Sequence, residues 1–507
     1  MRTFELILIL VNLVSLLLSV KKQSKVVWLV TAGANLSVFL IHGIFEGFRY
    51  QMIFSYVFVI LYAVYAFIKT IDKFAETKTP KALKAIVISL SFLFLMFSSF
   101  LAYALPVFTL PKPTGGYDVG IKYFHLIDEN RNDPFLNKST KKRELMVKVY
   151  YPAKRDESRA RVKPYSPYFH NSPELIKLFS TFYNMPEFMF DHLTLVKTNS
   201  KENLELADTQ PSFPVILFSH GAGTTMEVQT SQCEDLASHR YIVVAIDHTY
   251  VSAATVLPNR IISAKEATTD FNTAEPAEII AQIMADDVKF VIESLSEMNE
   301  GGVDSIFKRK LNLAQIGVIG QSIGGAVAYN LAMNDNRIKA AINLDGRVFI
   351  TPKKNPGNMA PFLMLANDNG HIQSIQNRES LLRKFEDMPI EEQKSMLLMY
   401  GSKQAYHEAY IKAQQNMIGL TSVLQASGNL FTIEGSDHMK FTDIGLFIGA
   451  RWLREFIGIG GKTDPVKCLE ITKSVTLAFF DQHLKNKTLD SLDSLVEKYP
   501  ELKKVDL

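Results

Sequence analysis

The most informative stretch of the chain covers residues 315–325 and reads Gln315-Ile316-Gly317-Val318-Ile319-Gly320-Gln321-Ser322-Ile323-Gly324-Gly325. An apolar run leads into a Gly-x-Ser-x-Gly turn, and the residues that follow favour a helix. This order is typical of a nucleophile elbow, where a strand turns sharply into a helix and leaves a serine exposed at the end of a sheet. The pattern predicts that Ser322 is a nucleophile, although a glycine-rich turn can also be purely structural.

The sequence after residue 108 alternates short apolar segments with helical ones, which predicts a mainly parallel sheet with helices on both faces. The predicted strands are 144–151, 215–219, 242–246, 316–319, 340–344, 362–366 and 430–434. Helical segments between them include 280–295 and 326–333. We place the connector and the start of this domain at 109–143, the catalytic domain at 144–490 and a C-terminal tail at 491–507.

Two segments of the predicted domain are longer than a simple crossover requires. Residues 165–195 are rich in Phe, Tyr and Met, and 175–185 can form an amphipathic helix. Residues 370–428 join the last two core strands through several helical segments. Long insertions near strand ends commonly form lids or substrate walls. Ordinary packing against the domain is the alternative interpretation of their aromatic residues.

A serine nucleophile needs a general base, and in this architecture the chain order is serine, then acid, then histidine. The histidines that follow Ser322 are His371, His407, His438 and His483. His438 comes after the last core strand, on a polar loop at the carboxyl end of that strand. His371 and His407 belong to the insertion 370–428, and His483 lies on a C-terminal amphipathic helix. We therefore expect His438 to be the base.

Two carboxylates are candidates for the acid that orients this base. Asp345 ends the predicted strand 340–344, and Asp368 follows the predicted strand 362–366. Both lie at carboxyl ends of strands, where the elbow is also placed. The side chain of Asp437 should point away from the imidazole, because it is adjacent to His438 in the chain. Spacing alone does not separate Asp345 from Asp368.

An oxyanion hole requires two backbone N–H groups that point at the developing negative charge. One should come from Ile323, the residue after the nucleophile. The second should come from a loop after an earlier strand, and the segment Ser219-His220-Gly221-Ala222-Gly223 has the required glycines. We expect Ala222 to be that donor and His220 to stabilise the loop.

The first 108 residues are predicted to be a bundle of four transmembrane helices. The apolar segments 4–20, 26–44, 52–68 and 83–108 are each long enough to cross a bilayer, and their apolar residues lie on all faces. A cleaved signal peptide is a poor explanation for the first segment, because lysines follow it instead of a small-residue cleavage site.

The lysine distribution predicts the orientation of this bundle. Lysines cluster in the first and third connecting loops, at Lys21, Lys22, Lys25, Lys69, Lys73, Lys78, Lys81 and Lys84. Positively charged loops stay in the cytoplasm, so four spans place the N-terminus and everything after residue 108 outside it. We therefore expect a multi-pass membrane protein with an extracytoplasmic catalytic domain.

The composition argues against several classes of function. A formal net charge of +3 gives no footprint for nucleic-acid binding. Two cysteines, and the absence of His-Glu-x-x-His and of Gly-x-x-x-x-Gly-Lys from the sequence, predict no metal, no cofactor and no disulfide framework.

Five motifs in order resemble the plasma and type II platelet-activating-factor acetylhydrolases and their bacterial relatives. They are 218–223 (FSHGAG), 236–239 (LASH), 320–325 (GQSIGG), 343–345 (NLD) and 435–438 (GSDH). The strand at 143–152 is similar too, so the resemblance covers roughly 116–490. It implies an α/β-hydrolase fold and a calcium-independent serine esterase that releases acetyl or short oxidised acyl chains from phospholipids. It also favours Asp345 as the acid, with Asp368 as the alternative.

The chain departs from that family in its four predicted spans and in the segments 165–195 and 370–428, which should shape the acyl pocket. We therefore expect a membrane-anchored serine hydrolase of lipid-like esters, with its protein partners unspecified. The alternatives are a general carboxylesterase or polyester hydrolase, a lipid acyltransferase with the same triad, and a membrane sensor with an inactive hydrolase domain.

Overall fold

The structure is a computed structural model of the 507-residue chain. It describes residues 1–71, 80–154, 165–169, 173–271, 276–302, 306–350, 359–459, 461–487 and 491–507. Lys73 and Lys78, which contribute to the predicted orientation of the bundle, lie outside these described residues.

The centre of the molecule is a ten-stranded sheet. Its strands, with a separate hairpin of β6 and β7, are β1 (Asp118–Asn132), β2 (Lys142–Ala153), β3 (Ser200–Glu202), β4 (Phe213–Ser219), β5 (Ile242–Asp247), β6 (Ala254–Leu257), β7 (Arg260–Ser263), β8 (Leu311–Gln321), β9 (Ile338–Leu344), β10 (Phe362–Asn367), β11 (Leu430–Ile433) and β12 (Leu502–Lys504). The strand order is β12-β11-β10-β9-β8-β4-β5-β2-β1-β3. The strands from β11 to β5 in that order run parallel, so their carboxyl ends meet along one edge of the sheet.

Helices surround this sheet and precede it. Within the described residues they are α1 (Thr3–Leu18), α2 (Lys25–Phe45), α3 (Ile53–Thr70), α4 (Lys81–Ala104), α5 (Pro173–Tyr183), α6 (Thr230–Ser238), α7 (Pro276–Glu300), α8 (Ile323–Asn334), α9 (His371–Asn377), α10 (Ile390–Tyr400), α11 (Lys403–Ser427), α12 (Arg451–Phe456), α13 (Pro465–Lys485) and α14 (Leu492–Lys498). One core contains residues of α7, α8 and α11, and another contains residues of α6 and α13. The parallel strands alternate their side chains between these two cores, which is why they read as continuous apolar runs.

Each strand predicted from the sequence is present in the sheet, and the structure adds others. β1 covers 118–132, in the segment assigned to the connector and the start of the catalytic domain, and pairs antiparallel with β2. β12 lies within the predicted tail and pairs antiparallel with β11 as an edge strand. β1 interleaves polar residues with apolar ones, and β12 has only three residues, of which Lys503 and Lys504 are exposed. Neither strand has the continuous apolar pattern of the central strands.

The two long segments fold partly as helices. The predicted amphipathic helix at 175–185 corresponds to α5, whose buried side chains include Leu175, Ile176 and Phe179. The segment 370–428 contains α9, α10 and α11. α11 contributes Leu420 and Leu424 to the core of the sheet, and α10 has no buried residue.

The N-terminal helices form a separate bundle. Three of them, at Lys25–Phe45, Tyr50–Thr70 and Lys81–Ala104, are long and apolar enough to cross a membrane. The first helix, Thr3–Leu18, has 16 residues and extends for about 24 Å, which is shorter than a typical hydrocarbon core.

Polar contacts at one end of the bundle lie both within it and between it and the rest of the chain. Arg49 forms a buried bidentate ion pair with Glu5, at 2.7 Å for both contacts, and also donates to the Ala102 carbonyl. The backbone N–H of Gly449 donates to the Ala104 carbonyl at 2.9 Å. The end of α4 is therefore bonded to both parts of the molecule.

Candidate active site

Ser322 occupies the turn between β8 and α8 with φ +56° and ψ −123°, a backbone conformation that a non-glycine residue rarely adopts. The glycines on either side make this turn possible. A Cβ on Gly320 would lie 2.1 Å from the backbone of Gly324, and a Cβ on Gly324 would lie 2.2 Å from the Ser219 carbonyl oxygen. Any larger residue at either position would push the helix away from the sheet. The local geometry is that of a nucleophile elbow.

Asp345 and His438 come from the carboxyl ends of neighbouring parts of the sheet and meet. Asp345 directly follows β9, and His438 lies in the turn that follows β11. The distance between Asp345 Oδ2 and His438 Nδ1 is 2.6 Å. The Asp345 side chain is fully buried, whereas that of His438 is 42% exposed. One edge of the imidazole thus contacts a buried carboxylate, and part of the ring is exposed to solvent.

The environment of this pair shifts both acidities. Burial raises the pKa of Asp345, but hydrogen bonds from His371 and His438 outweigh it and hold the pKa well below its ordinary value. Burial lowers the pKa of His438, but the hydrogen bond and the charge of Asp345 outweigh it, so the pKa lies above its ordinary value. The pair therefore favours an ionised carboxylate beside an imidazole that is more basic than usual.

Asp368, the alternative acid, is engaged elsewhere. Its carboxylate accepts a hydrogen bond from the backbone N–H of Gly435 at 2.9 Å. Its own backbone N–H donates to Ser436 Oγ at 3.3 Å. Asp368 thereby ties the end of β10 to the loop that follows β11, two to three residues before His438.

Ser322, Asp345 and His438 open into one cavity of about 370 Å³. Its other lining residues are Ala222, Ala277, Ile323, Arg347, Phe349, Asn367, Asn369, His371 and Leu381. A larger groove of about 800 Å³ runs past Asp368 and Glu434, and none of the three lines it. We take the smaller cavity as the candidate site, because Ser322 and His438 both line it.

The candidate oxyanion donors, Ala222 and Ile323, line the same cavity. Neither backbone N–H is donated to an acceptor among the described residues. The loop that carries Ala222 is fixed by His220. Its Nδ1 donates to the Gly221 carbonyl at 2.8 Å, and its Nε2 accepts from the backbone N–H of His248 at 3.1 Å. Burial lowers the pKa of His220 to about 3, which keeps it neutral in this role.

Two further residues reach this site that the sequence did not assign to it, and the sequence presents one of them, His371, only as a candidate base. The Nε2 atom of Gln321 lies 3.2 Å from the Nε2 atom of the His438 imidazole. The Nδ1 atom of His371 lies 2.6 Å from the Oδ1 atom of Asp345. Gln321 directly precedes the nucleophile and His371 follows a strand end, which are the available sequence signals. No hydrogen bond joins Ser322 to His438 among these described residues.

Known proteins match the chain in both sequence and fold. A sequence model of one family, described as platelet-activating factor acetylhydrolase, isoform II, matches residues 104–501. This match spans most of the chain and contains Ser322, Asp345 and His438. The chain belongs to this family. Most of the N-terminal bundle, residues 1–103, lies outside the part that the platelet-activating factor acetylhydrolase family shares.

Individual relatives are distant but cover much of the chain. Proteins named platelet-activating factor acetylhydrolase from Cavia porcellus and Canis lupus familiaris are 22% and 24% identical to it. The alignments cover 77% and 76% of this chain and 81% and 80% of those proteins. A probable 1-alkyl-2-acetylglycerophosphocholine esterase from Arthroderma benhamiae is 26% identical, over 47% of this chain and 59% of that protein. These relatives of the family are acetylhydrolases and esterases.

A solved structure supports the fold. The ferulic acid esterase from Streptomyces cinnamoneus superimposes with a TM-score of 0.52 and 24% sequence identity, covering 78% of this chain and 99% of that one. At this level of identity the likeness concerns the fold alone. The mainly parallel sheet with helices is consistent with the α/β-hydrolase fold that the family resemblance implies.

Proposed function

We propose that this chain is a membrane-anchored serine hydrolase that cleaves short or oxidised acyl esters of lipids through an acyl-enzyme. One observation carries the proposal. Asp345 and His438, which are 2.6 Å apart, line the same cavity as Ser322. An inactive binding domain has no need of a strained serine beside an ion-paired imidazole. Membership of the acetylhydrolase family supports the same chemistry.

The proposed reaction starts at Ser322. Its Oγ attacks the acyl carbon while its proton passes to Nε2 of His438, and Asp345 stabilises the imidazolium that forms. The N–H groups of Ala222 and Ile323 bind the oxyanion, each contributing about 2.7–4 kcal/mol. The leaving alcohol then takes the proton from His438. Water, activated by the same histidine, attacks the acyl-enzyme and releases the acid and free Ser322.

The Gln321 side chain must move away from His438 during this cycle. Its amide nitrogen lies 3.2 Å from the same His438 Nε2 that has to accept the serine proton. Catalytic hydrogen bonds are often long or misaligned without substrate and tighten when substrate binds. Filling of the cavity by the ester would therefore bring Ser322 and His438 together.

The substrate is proposed to be a lipid-like ester with a short acyl chain. The cavity of about 370 Å³ lies at the small end of the range for ligand sites, and Phe349 and Leu381 supply apolar wall. A series of p-nitrophenyl esters tests this by acyl length. We expect kcat/KM to be higher for the acetyl and butyryl esters than for the palmitoyl ester. A maximum at palmitoyl would contradict a short-chain site.

The membrane part of the proposal is four spans with the catalytic domain outside the cytoplasm. Its support is the three long apolar helices and the lysine-rich loops of the bundle. The two native cysteines, Cys233 and Cys468, are buried, so thiol labelling can report on introduced ones. In sealed right-side-out vesicles, an impermeant maleimide should label Asp506→Cys and spare Lys22→Cys. The reverse pattern would overturn the orientation.

The covalent step is tested with a fluorophosphonate probe on the full-length protein in detergent. We expect the wild-type protein to be labelled and Ser322→Ala to be unlabelled, because the probe phosphorylates an activated serine. Ser322→Ala should keep the thermal unfolding temperature of the wild type, which controls for folding. Equal labelling of both proteins, or labelling of neither, would refute the acyl-enzyme.

A further inference from the structure

Two histidines, not one, hold the carboxylate of Asp345. His371 is the first residue of α9, directly after Gly370, which has a φ of +98°. His371 Nδ1 lies 2.6 Å from Asp345 Oδ1, and its side chain is only 4% exposed. His438 makes the equivalent contact with the other oxygen at 2.6 Å. A side chain from the segment 370–428 therefore contacts the candidate triad through Asp345.

The hydrogen bonds of Asp345 are complete. Oδ1 accepts from His371 and from the backbone N–H of Asn367, the latter at 2.8 Å. Oδ2 accepts from His438 and from the Asn367 side-chain amide, the latter at 2.6 Å. A carboxylate offers about four lone-pair sites, so these four donors occupy all of them. Rotation of the carboxylate about its χ2 bond would break several of these contacts together.

The tautomer of His371 follows from this arrangement. Since the carboxylate can only accept, Nδ1 of His371 carries the hydrogen. Its Nε2 atom is buried and makes no hydrogen bond to a described residue. The other titratable and charged groups on the same cavity wall are Asp345 and Arg347, from the end of β9, and His438. Among these, Asp345 is the group that His371 contacts.

We infer that His371 is a positioning residue that fixes the plane of the Asp345 carboxylate so that Oδ2 faces His438. Its hydrogen bond also draws part of the carboxylate's negative charge towards Oδ1, so that less of this charge acts on His438. The inference rests on the proposed function, since it assigns a role within that triad. It also gives a role to the start of the segment 370–428, because His371 is the first residue of α9. In the proposed mechanism the base is His438, and His371 acts only through Asp345.

The inference predicts a change in both rate and pH dependence. Without the His371 donor, the carboxylate is freer to turn, so kcat should fall by about tenfold or more, as expected for a hydrogen bond to a charged group. KM should change by less than about threefold, because His371 acts on the base and not on substrate. The charge of Asp345 would then act more strongly on His438, so the acid limb of kcat/KM should move to higher pH.

The experiment uses the full-length protein with three variants. His371→Phe keeps most of the ring volume and removes both nitrogens, whereas His371→Asn places an amide N–H close to the position of Nδ1. We expect the loss in His371→Phe and substantial recovery in His371→Asn. His407→Ala is the matched control, because His407 belongs to the same insertion and is exposed. It should retain the kcat and the acid limb of the wild type.

Three results would each overturn the inference. The first is a His371→Phe enzyme with an unchanged kcat and acid limb. The second is a loss that His371→Asn does not reverse, since packing would then account for it. The third is a loss as complete as that of His438→Ala, which would make His371 a base. Fluorophosphonate labelling of Ser322 separates these results from failure of the proposed function, which would abolish labelling in the wild-type protein.

Discussion

The side-chain amide of Gln321 bridges two atoms of His438. Gln321 Nε2 lies 3.2 Å from the Nε2 atom of the imidazole and 3.2 Å from the backbone carbonyl oxygen of His438. The carbonyl can only accept, so the amide nitrogen must face it, and the imidazole Nε2 must also accept. His438 therefore carries its hydrogen on Nδ1, directed at Asp345. This is the tautomer that a general base for Ser322 requires.

Gln321→Glu should shift the pH dependence of the reaction. In the wild type we expect kcat/KM to fall in acid as His438 is protonated, with a midpoint above 6.5, because Asp345 raises the pKa of this imidazole despite its burial. A carboxylate at 321 would stabilise the imidazolium further and move that midpoint upward by about one pH unit or more. A pH–rate profile measures both midpoints. A downward shift in the variant would contradict the contact.

Asp345→Asn and Asp368→Asn should differ sharply in activity. Asn at 345 lacks one of the acceptor oxygens, so we expect kcat to fall by about 10⁴-fold, the loss that this change causes in a serine protease triad. Asn at 368 can still accept from the N–H of Gly435, so the loss there should stay below about tenfold. Steady-state kinetics on the same ester decides between them. Equal losses would leave the acid unassigned.

Tyr183→Phe should lower kcat by way of the oxyanion loop. The hydroxyl of Tyr183, at the end of α5, donates to the carbonyl oxygen of Gly223. Gly223 follows Ala222, the proposed oxyanion donor, so the hydroxyl steadies that loop. Loss of one hydrogen bond of about 1 kcal/mol corresponds to a fall of about fivefold. Tyr165→Phe is the control, because Tyr165 is exposed in the same insertion, and it should leave kcat unchanged.

Arg143→Ala should destabilise the domain far more than Arg383→Ala. Arg143 is fully buried in β2 and contacts Asp287 of α7 at 2.7 and 3.1 Å. Removing one partner of a buried ion pair costs about 3–5 kcal/mol. Arg383 pairs with Glu392 at 3.4 Å and is 65% exposed, so its loss should cost no more than about 1 kcal/mol. Thermal unfolding temperatures should follow this order, and equal temperatures would contradict it.

The same buried pair predicts a pH effect on stability. Burial raises the pKa of Asp287, but the Arg143 guanidinium outweighs it and holds the pKa well below its ordinary 3.8. A depressed pKa gives stability that is present above 3.8 and is lost as the pH falls through the folded-state pKa. The gap in unfolding temperature between wild type and Arg143→Ala should therefore narrow in strong acid. A gap that widens on acidification would contradict this assignment.

Much of the fold could be predicted from local patterns. The apolar runs before Ser322, Asp345, Asp368 and His438 place these residues at carboxyl ends of strands, and parallel strands bring such ends together at one edge. The strands β1 and β12 could not be found in this way, because neither is a continuous apolar run. β1 pairs with the next strand along the chain, β2, whereas β12 pairs with β11 across a long sequence separation, with Phe431 opposite Lys504.

The elbow at Ser322, the histidine after the last core strand and the apolar N-terminal helices could be predicted from the chain alone, because each depends on residues that are neighbours in the chain. Which carboxylate meets His438 depends on three-dimensional packing, since Asp345 and Asp368 both follow parallel strands. The same packing also brings in Gln321 and His371. Their contacts depend on side-chain direction across 117 and 26 residues of separation, which no local pattern encodes.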